Sequence, residues 1–313
     1  MSRRVACVFG GSGFIGRQIV RRLAAQGFRV RAAVRDTEAA HFLKPMGDVG
    51  QVVPIKIDIT DQRRVAAAVE GCEVVVNAVG VLVESGRQNF SSIHAVGAAN
   101  VAEGARAAGA ETFLLVSSLA ADPASPSAYG RSKAESETRT RFSFPDAIVL
   151  RPSVVYGQDD SFFNRFAAMT TFGPFLPVVG TKKFQPVFVD DVGDAAEVAL
   201  GNPESRGKTY LLGGPGTYTM HEMLSLMLES MGRKRRLIQI PMGLASLMAV
   251  FAQLAPGKPL TPDQVRQLES DNVVPAGALG FAALGLTPEP LEAILPQVMS
   301  RFRNQYIHAF PAA

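Results

Sequence analysis

The chain contains no tryptophan, two cysteines and four histidines in 313 residues. Cys7 and Cys72 have no partner at metal-ligand spacing and cannot build a disulfide framework. Both are expected as reduced thiols in a cytoplasmic compartment. The scattered histidines offer no zinc or iron constellation, so no metal is expected. A run of 18 uninterrupted apolar residues is also missing, and no membrane-spanning helix is expected. Strong charge of one sign is absent: 32 Lys and Arg stand against 28 Asp and Glu. The resulting net charge of +4 is too mild to indicate nucleic acid and fits small anionic ligands at most. Met1-Ser2-Arg3-Arg4 leads straight into an apolar run, so no signal or transit peptide is expected.

What remains is a globular composition, 47% hydrophobic and 19% charged. The length suffices for one large α/β core or two joined ones. Through residue 150, short apolar runs alternate with helical patterns. The runs are Val5–Phe9, Arg29–Val34, Val52–Ile57, Val74–Ala78, Phe113–Ser117 and Ala147–Leu150. The helical patterns are Gly16–Gln26, Gln62–Val69, Ser91–Ala108 and Ser132–Phe142. The runs lack polar alternation, as strands buried on both faces do, and predict right-handed βαβ units in a doubly wound parallel sheet, a Rossmann fold. Beyond residue 157 prolines and glycines multiply. Pro186–Leu200 reads as strand then helix, and the remainder is mixed and mostly helical. The expected division is an α/β nucleotide-binding domain over 1–157, with 186–200 returning to it, and a substrate or partner region over 158–313.

Gly10-Gly11-Ser12-Gly13-Phe14-Ile15-Gly16 lies between the first strand and the first helix, the setting that a dinucleotide fingerprint requires. Gly10 permits the tight turn, Gly13 lets the backbone approach a pyrophosphate, and Gly16 lets helix and strand pack closely. Ser12, Phe14 and Ile15 complete the loop around the anion at the helix N-terminus. The bland alternative is a flexible glycine turn. NAD-specific proteins carry an acidic residue at the end of the second strand. Here that strand ends Ala32-Ala33-Val34-Arg35-Asp36. A guanidinium at Arg35 suits a 2′-phosphate, and Arg17 adds a second charge, which favours NADP(H) over NAD(H). The competing reading has Asp36 on the ribose and Arg35 as a surface charge. Asp58-Ile59 suits the adenine edge, or else forms a turn in which Thr60 or Asp61 caps the next helix. Ala78, Val79 and Gly80 are expected to line the cofactor channel.

Tyr129 and Lys133 stand four apart and project from one helical face. A lysine ammonium beside a phenol lowers its pKa, so the tyrosine can exchange a proton with a substrate oxygen. Lys133 can also hold the nicotinamide ribose, and the Ser118 hydroxyl can polarise the same substrate oxygen. This spacing is commonplace alone; behind the glycine fingerprint, in this order, it carries weight.

Together with Ser117-Ser118, Arg151-Pro152-Ser153-Val154-Val155-Tyr156-Gly157 and Val187-Phe188-Val189-Asp190-Asp191-Val192, these motifs make the first 200 residues or so resemble an extended short-chain dehydrogenase/reductase. The resemblance implies cofactor contacts from Ser117, Tyr129, Lys133, Pro152 and Val154. Within that superfamily the chain is most similar to the atypical branch containing the NAD(P)-binding accessory subunit of respiratory complex I, NADH:ubiquinone oxidoreductase. The fingerprint from Val8 to Arg17, the short stretch from Ser118 to Tyr129 and the tail Leu284–Pro296 carry that likeness. It implies a tightly held, largely structural NADP(H) and complex I hydrophilic-arm subunits as partners. In the absence of a transit peptide it implies a bacterial form, peripheral on the cytoplasmic face of the inner membrane. His94 stands where superfamily enzymes carry an asparagine of a proton relay; a histidine can relay protons, or it marks a loss of turnover. The alternative is an active NADP-dependent reductase or epimerase acting on a carbonyl or hydroxyl through Ser118, Tyr129 and Lys133.

In the second half, the basic cluster Gly232-Arg233-Lys234-Arg235-Arg236 precedes an apolar stretch, Met242–Ala255. Residues 232–255 can lie on a membrane surface with the cluster facing anionic lipid. They can equally be a solvated turn and a core helix. Met223, Met227 and Met231, at spacing four, are expected in the core.

Overall fold

The structure is a computed structural model that describes residues 4–86, 88–171, 173–254 and 260–303. Its first stretch alternates as the sequence predicts: β1 (Val5–Phe9), α1 (Gly16–Ala25), β2 (Arg29–Val34), β3 (Val52–Lys56), α2 (Gln62–Val69), β4 (Val74–Asn77), α3 (Gly97–Ala107), β5 (Thr112–Val116), α4 (Ala128–Ser143) and β6 (Ile148–Pro152). With the strand Thr209–Leu212 these strands form one seven-stranded parallel sheet, in the order β3-β2-β1-β4-β5-β6 and then Thr209–Leu212. The order reverses between β1 and β4. That reversal opens the crevice at the carboxyl ends of the strands where doubly wound folds take ligands.

The residues explain the layers. Ala6, Cys7, Val8, Val75, Val76, Phe113 and Leu114 are fully buried, as strands covered on both faces require. α1 turns Ile19, Val20, Leu23 and Ala24 inward. Asp61 caps α2 by accepting from the Arg64 amide, and Ser127 caps α4 by accepting from the Gly130 amide. The helix Val189–Gly201 is tied to α1 through Arg22, which donates to the Asp194 carboxylate at 2.7 Å and to the Asp190 carbonyl at 2.7 Å.

The chain forms two compact units. The first comprises Met1–Pro152, Val189–Leu212 and Val274–Thr287; the second comprises Ser153–Phe188, Gly213–Val273 and Pro288–Ala313. The second has its own core, in which Tyr156, Phe163, Leu176, Met223, Met227, Met231 and Leu295 pack together. The three methionines are therefore core residues, as their spacing predicts. Phe175–Val179 pairs in parallel with Arg236–Ile240. The helix that follows, Met242–Ala252, buries Ala245 and Ala249 and leaves Leu247 57% and Phe251 67% exposed. Ala255, the last residue of the apolar stretch, lies outside the described residues. Among the described residues no helix is long and apolar enough to cross a membrane.

Candidate functional site

The glycine loop has a geometric reason at three positions. Gly10 sits at φ +74°, and a Cβ there would lie 3.0 Å from the Ala78 carbonyl, so both its conformation and its close neighbour demand glycine. A Cβ at Gly16 would fall 2.1 Å from the Gly10 oxygen, and one at Gly13 would meet the same oxygen at 3.0 Å. Ile15 precedes α1 without a side-chain cap, and no acidic residue stands in the first turn. The positive end of the helix dipole thus meets no side-chain cap and no acidic residue, a setting that favours an anion. Arg17 braces the loop: its Nε donates to the Gly13 carbonyl at 3.3 Å, and Nη2 reaches the Ser12 carbonyl at 3.5 Å. Phe14 and Ile15 are half-buried in the same turn. A cradle that side chains would fill, opening on a helix N-terminus, fits the phosphates of a dinucleotide.

At the ends of the next two strands, Arg35 and Asp36 are both exposed. The Asp36 carboxylate accepts from the Glu38 and Ala39 amides at 3.0 and 3.1 Å and so closes its own turn. Asp58 accepts from the Thr60 amide and hydroxyl at 3.0 and 2.8 Å. Those bonds hold its carboxyl below the usual value, and the charges of Arg35 and Arg64 add to the effect. Asp58 therefore makes a local turn after β3 while Asp61 caps α2. The Ile59 carbonyl accepts from Asn100 Nδ2 at 3.0 Å. After β4, Asn77 Oδ1 accepts from the Val79 amide at 3.1 Å, which fixes the Ala78-Val79-Gly80 turn beside Gly10.

A π-helical turn over Ser91–Val96, closed by the Gly97 amide on the Ser92 carbonyl, sets His94 inward at 1% exposure. Its Nε2 accepts from the Val81 amide at 3.0 Å. Its Nδ1 lies 2.8 Å from Ser132 Oγ, and that hydroxyl donates to the Tyr129 carbonyl at 2.7 Å. With Nε2 accepting and the hydroxyl proton committed, Nδ1 carries the hydrogen. Burial, and after it the Lys133 charge, push the imidazole down to about 3. His94 is a neutral brace between the turn after β4 and α4, engaged on both nitrogens.

Ser118 hydrogen-bonds the Tyr129 phenol, yet burial outweighs that bond and raises the phenol above its ordinary value. Lys133 is 3% exposed, donates its Nζ to the Val116 carbonyl at 2.9 Å and is lowered by burial to about 8. The expected lowering of the phenol by the lysine is thus not what this structure shows, because desolvation dominates both groups. The Ser117 hydroxyl is turned to Glu137 Oε1. Pro152 ends β6, and Val154 belongs to the second unit. Two contributors escape a reading by motif, Ser132 and Glu137, as does the pairing of Arg151 with Glu137. Arg151 donates to both Glu137 oxygens at 2.8 and 2.6 Å. The one local signal for this pair is the acidic residue one turn after Lys133. Among the described residues no group of three His, Cys, Asp or Glu could hold a metal ion.

A family profile described as NAD(P)H-binding matches residues 10–161. The chain is 34% identical, over 96% of its own length and 78% of the relative's, to the Arabidopsis thaliana protein named NADH dehydrogenase (ubiquinone) 1 alpha subcomplex subunit 9, mitochondrial. It belongs to the subunit 9 family. The ceramide reductase of Caulobacter vibrioides is also similar, 33% identical over 77% of this chain and 74% of its own. Among solved structures, an NADPH-dependent quinone oxidoreductase of Escherichia coli, complexed with NADPH, superposes with a TM-score of 0.73, covering 94% of this chain and 99% of that one. At 18% identity that likeness speaks for the fold, which this member of the subunit 9 family shares with a quinone oxidoreductase and a nucleoside-diphosphate-sugar epimerase.

Proposed function

We propose that this protein is an NADP(H)-holding accessory subunit of a complex I-type NADH:ubiquinone oxidoreductase, its nucleotide serving mainly to hold the fold together. The observation that carries this is the similarity to subunit 9 over 96% of this chain, joined to an intact glycine cradle at the head of α1. Gly10, Gly13, the first turn of α1 and Arg17 would hold the pyrophosphate, Asp58 and Ile59 the adenine end, and Lys133 the nicotinamide ribose. When bound, the nucleotide supplies hydride chemistry, but in this role its contribution is stability by mass action. Purification through a C-terminal tag from native membranes tests the reading. Co-purifying complex I subunits with stoichiometric NADPH are expected. A protein recovered without those partners and exchanging nucleotide freely would overturn it.

Two finer points belong to this reading. Arg35 supports NADP(H), since Asp36 is occupied with its own turn and a guanidinium at the strand end matches a 2′-phosphate. Arg35→Ala is expected to weaken NADPH about tenfold, the order of one charge-assisted hydrogen bond, and leave NADH unchanged; equal losses for both nucleotides would count against it. Location on the membrane surface is supported by exposed Lys234 and Arg236 and by the apolar outer face of the helix Met242–Ala252. Both features support a location on the cytoplasmic face of a bacterial inner membrane.

A second reading, a reductase working on a carbonyl, is favoured by the Ser118–Tyr129 hydrogen bond and by the ceramide reductase similarity. A carbonyl-substrate screen with Tyr129→Phe as control separates the two, because turnover lost in that variant supports the enzyme.

A further inference from the structure

Behind the Tyr129–Lys133 face of α4 lies a second charged cluster, the buried Glu137 with the partly exposed Arg151. Glu137 stands one turn beyond Lys133 and is 6% exposed. Its carboxylate accepts from the Ser117 hydroxyl and from Arg151 Nε and Nη2 at 2.8 and 2.6 Å. A two-pronged guanidinium fixes a carboxylate in direction as well as distance. The preceding residue of the same chain segment, Val116, offers its carbonyl to Lys133 Nζ at 2.9 Å. The end of β5 therefore touches both residues, Lys133 through Val116 and Glu137 through Ser117, while β6 clamps Glu137 through Arg151.

The charged and titratable groups that face Lys133 among the described residues are few. Glu137 and Tyr129 come from its own helix. His94, neutral, comes from the π-helical turn, and Arg151 on β6 stands behind Glu137. β5 presents the Val116 carbonyl with the hydroxyls of Ser117 and Ser118. Burial works against the lysine's charge, and Glu137 works for it.

We propose that Glu137, clamped by Arg151 and Ser117, is a positioning residue that fixes the lysine-bearing turn of α4 and sets the pH up to which Lys133 grips the nucleotide. The proposal rests on the reading that Lys133 holds the nicotinamide ribose. Glu137 touches neither nucleotide nor reacting atoms; it acts through Lys133.

The experiment is NADPH titration of the full chain by fluorescence between pH 6 and 10, with thermal melting of each variant alongside. In the wild type, affinity should fall about tenfold as pH rises through roughly 8, the loss of one charge-assisted hydrogen bond. Lys133→Met should bind weakly at every pH with a flat profile. Glu137→Gln should move the fall about one pH unit downward, because the opposing charge is gone. Ser117→Ala takes one donor from the carboxylate, leaves it less neutralised and should move the fall upward; this variant carries the test if Glu137→Gln does not fold. An affinity loss in Glu137→Gln that is equal at all pH values, with the midpoint unmoved, overturns the proposal, as does an unmoved midpoint in Ser117→Ala. Wild-type affinity that is flat with pH and unaffected by Lys133→Met overturns the underlying reading of Lys133 instead.

Discussion

A methyl group is too large at Gly16, where the Gly10 oxygen lies 2.1 Å from the place a Cβ would take. Gly16→Ala is accordingly expected to displace the cradle and weaken NADPH at least about tenfold, read by fluorescence titration. Binding at wild-type strength would mean that the loop is not the phosphate site. His94 makes a different kind of prediction. Its folded value near 3 lies below the ordinary 6.5, so the unfolded chain takes up a proton first as the pH drops. The stability that neutral His94 contributes is complete above about pH 6.5 and is lost toward pH 3, at up to about 1.4 kcal/mol per pH unit. Melting temperatures at pH 7 and 4.5 should diverge more in the wild type than in His94→Gln. At this scale the glycine loop and the Tyr129–Lys133 pair are legible in the sequence because each is a local pattern. Ser132 with His94, and Arg151 with Glu137, are not, because each partnership is made by folding and neither spacing announces it.

Among the elements, the strands sit where continuous apolar runs predict them, since burial on both faces leaves no polar alternation to mistake. α4 departs most: the pattern suggests a start at Ser132, but the helix begins at Ala128 behind the Ser127 cap. Its first turn carries Gly130, where a Cβ would lie 2.6 Å from the Ala120 carbonyl, so tertiary packing rather than propensity brings a glycine into the helix. The predicted helix over Ser91–Ala108 is divided between the π-helical turn and α3, the π-turn being what aims His94 inward. The apolar stretch after residue 241 is a helix, but its outer face, with Leu244, Leu247, Met248 and Phe251, is exposed rather than core. Replacing Leu247 and Phe251 by glutamate is expected to abolish co-sedimentation with vesicles containing anionic lipid and to leave melting nearly unchanged. Undiminished sedimentation would remove this face from the membrane reading.

For the molecule as a whole, the first unit is assembled from three separate pieces of chain. Helix Val189–Gly201 is anchored on α1 through Arg22, and Thr209–Leu212 pairs with β6. A chain ending at Pro152 would keep the glycine loop, Tyr129 and Lys133 but lack both, and it is expected to show no cooperative unfolding and no NADPH binding. A sharp thermal transition from that fragment would show that the returning pieces are dispensable. Glycine, proline and a strand-then-helix pattern signal the segment near 186–200, whereas nothing in the sequence marks Val274–Thr287 as belonging to the first unit. Its place rests on contacts such as the Leu211 amide donating to the Leu279 carbonyl.

This interleaving also has a temporal side. A ribosome adding roughly 5–20 residues each second finishes β6 on the order of ten seconds before residue 287 emerges. Until the Thr209–Leu212 segment arrives, β6 is an open edge of the nascent sheet, a template for pairing with another chain. The order of synthesis thus makes the last-delivered strand the one that covers the β6 edge.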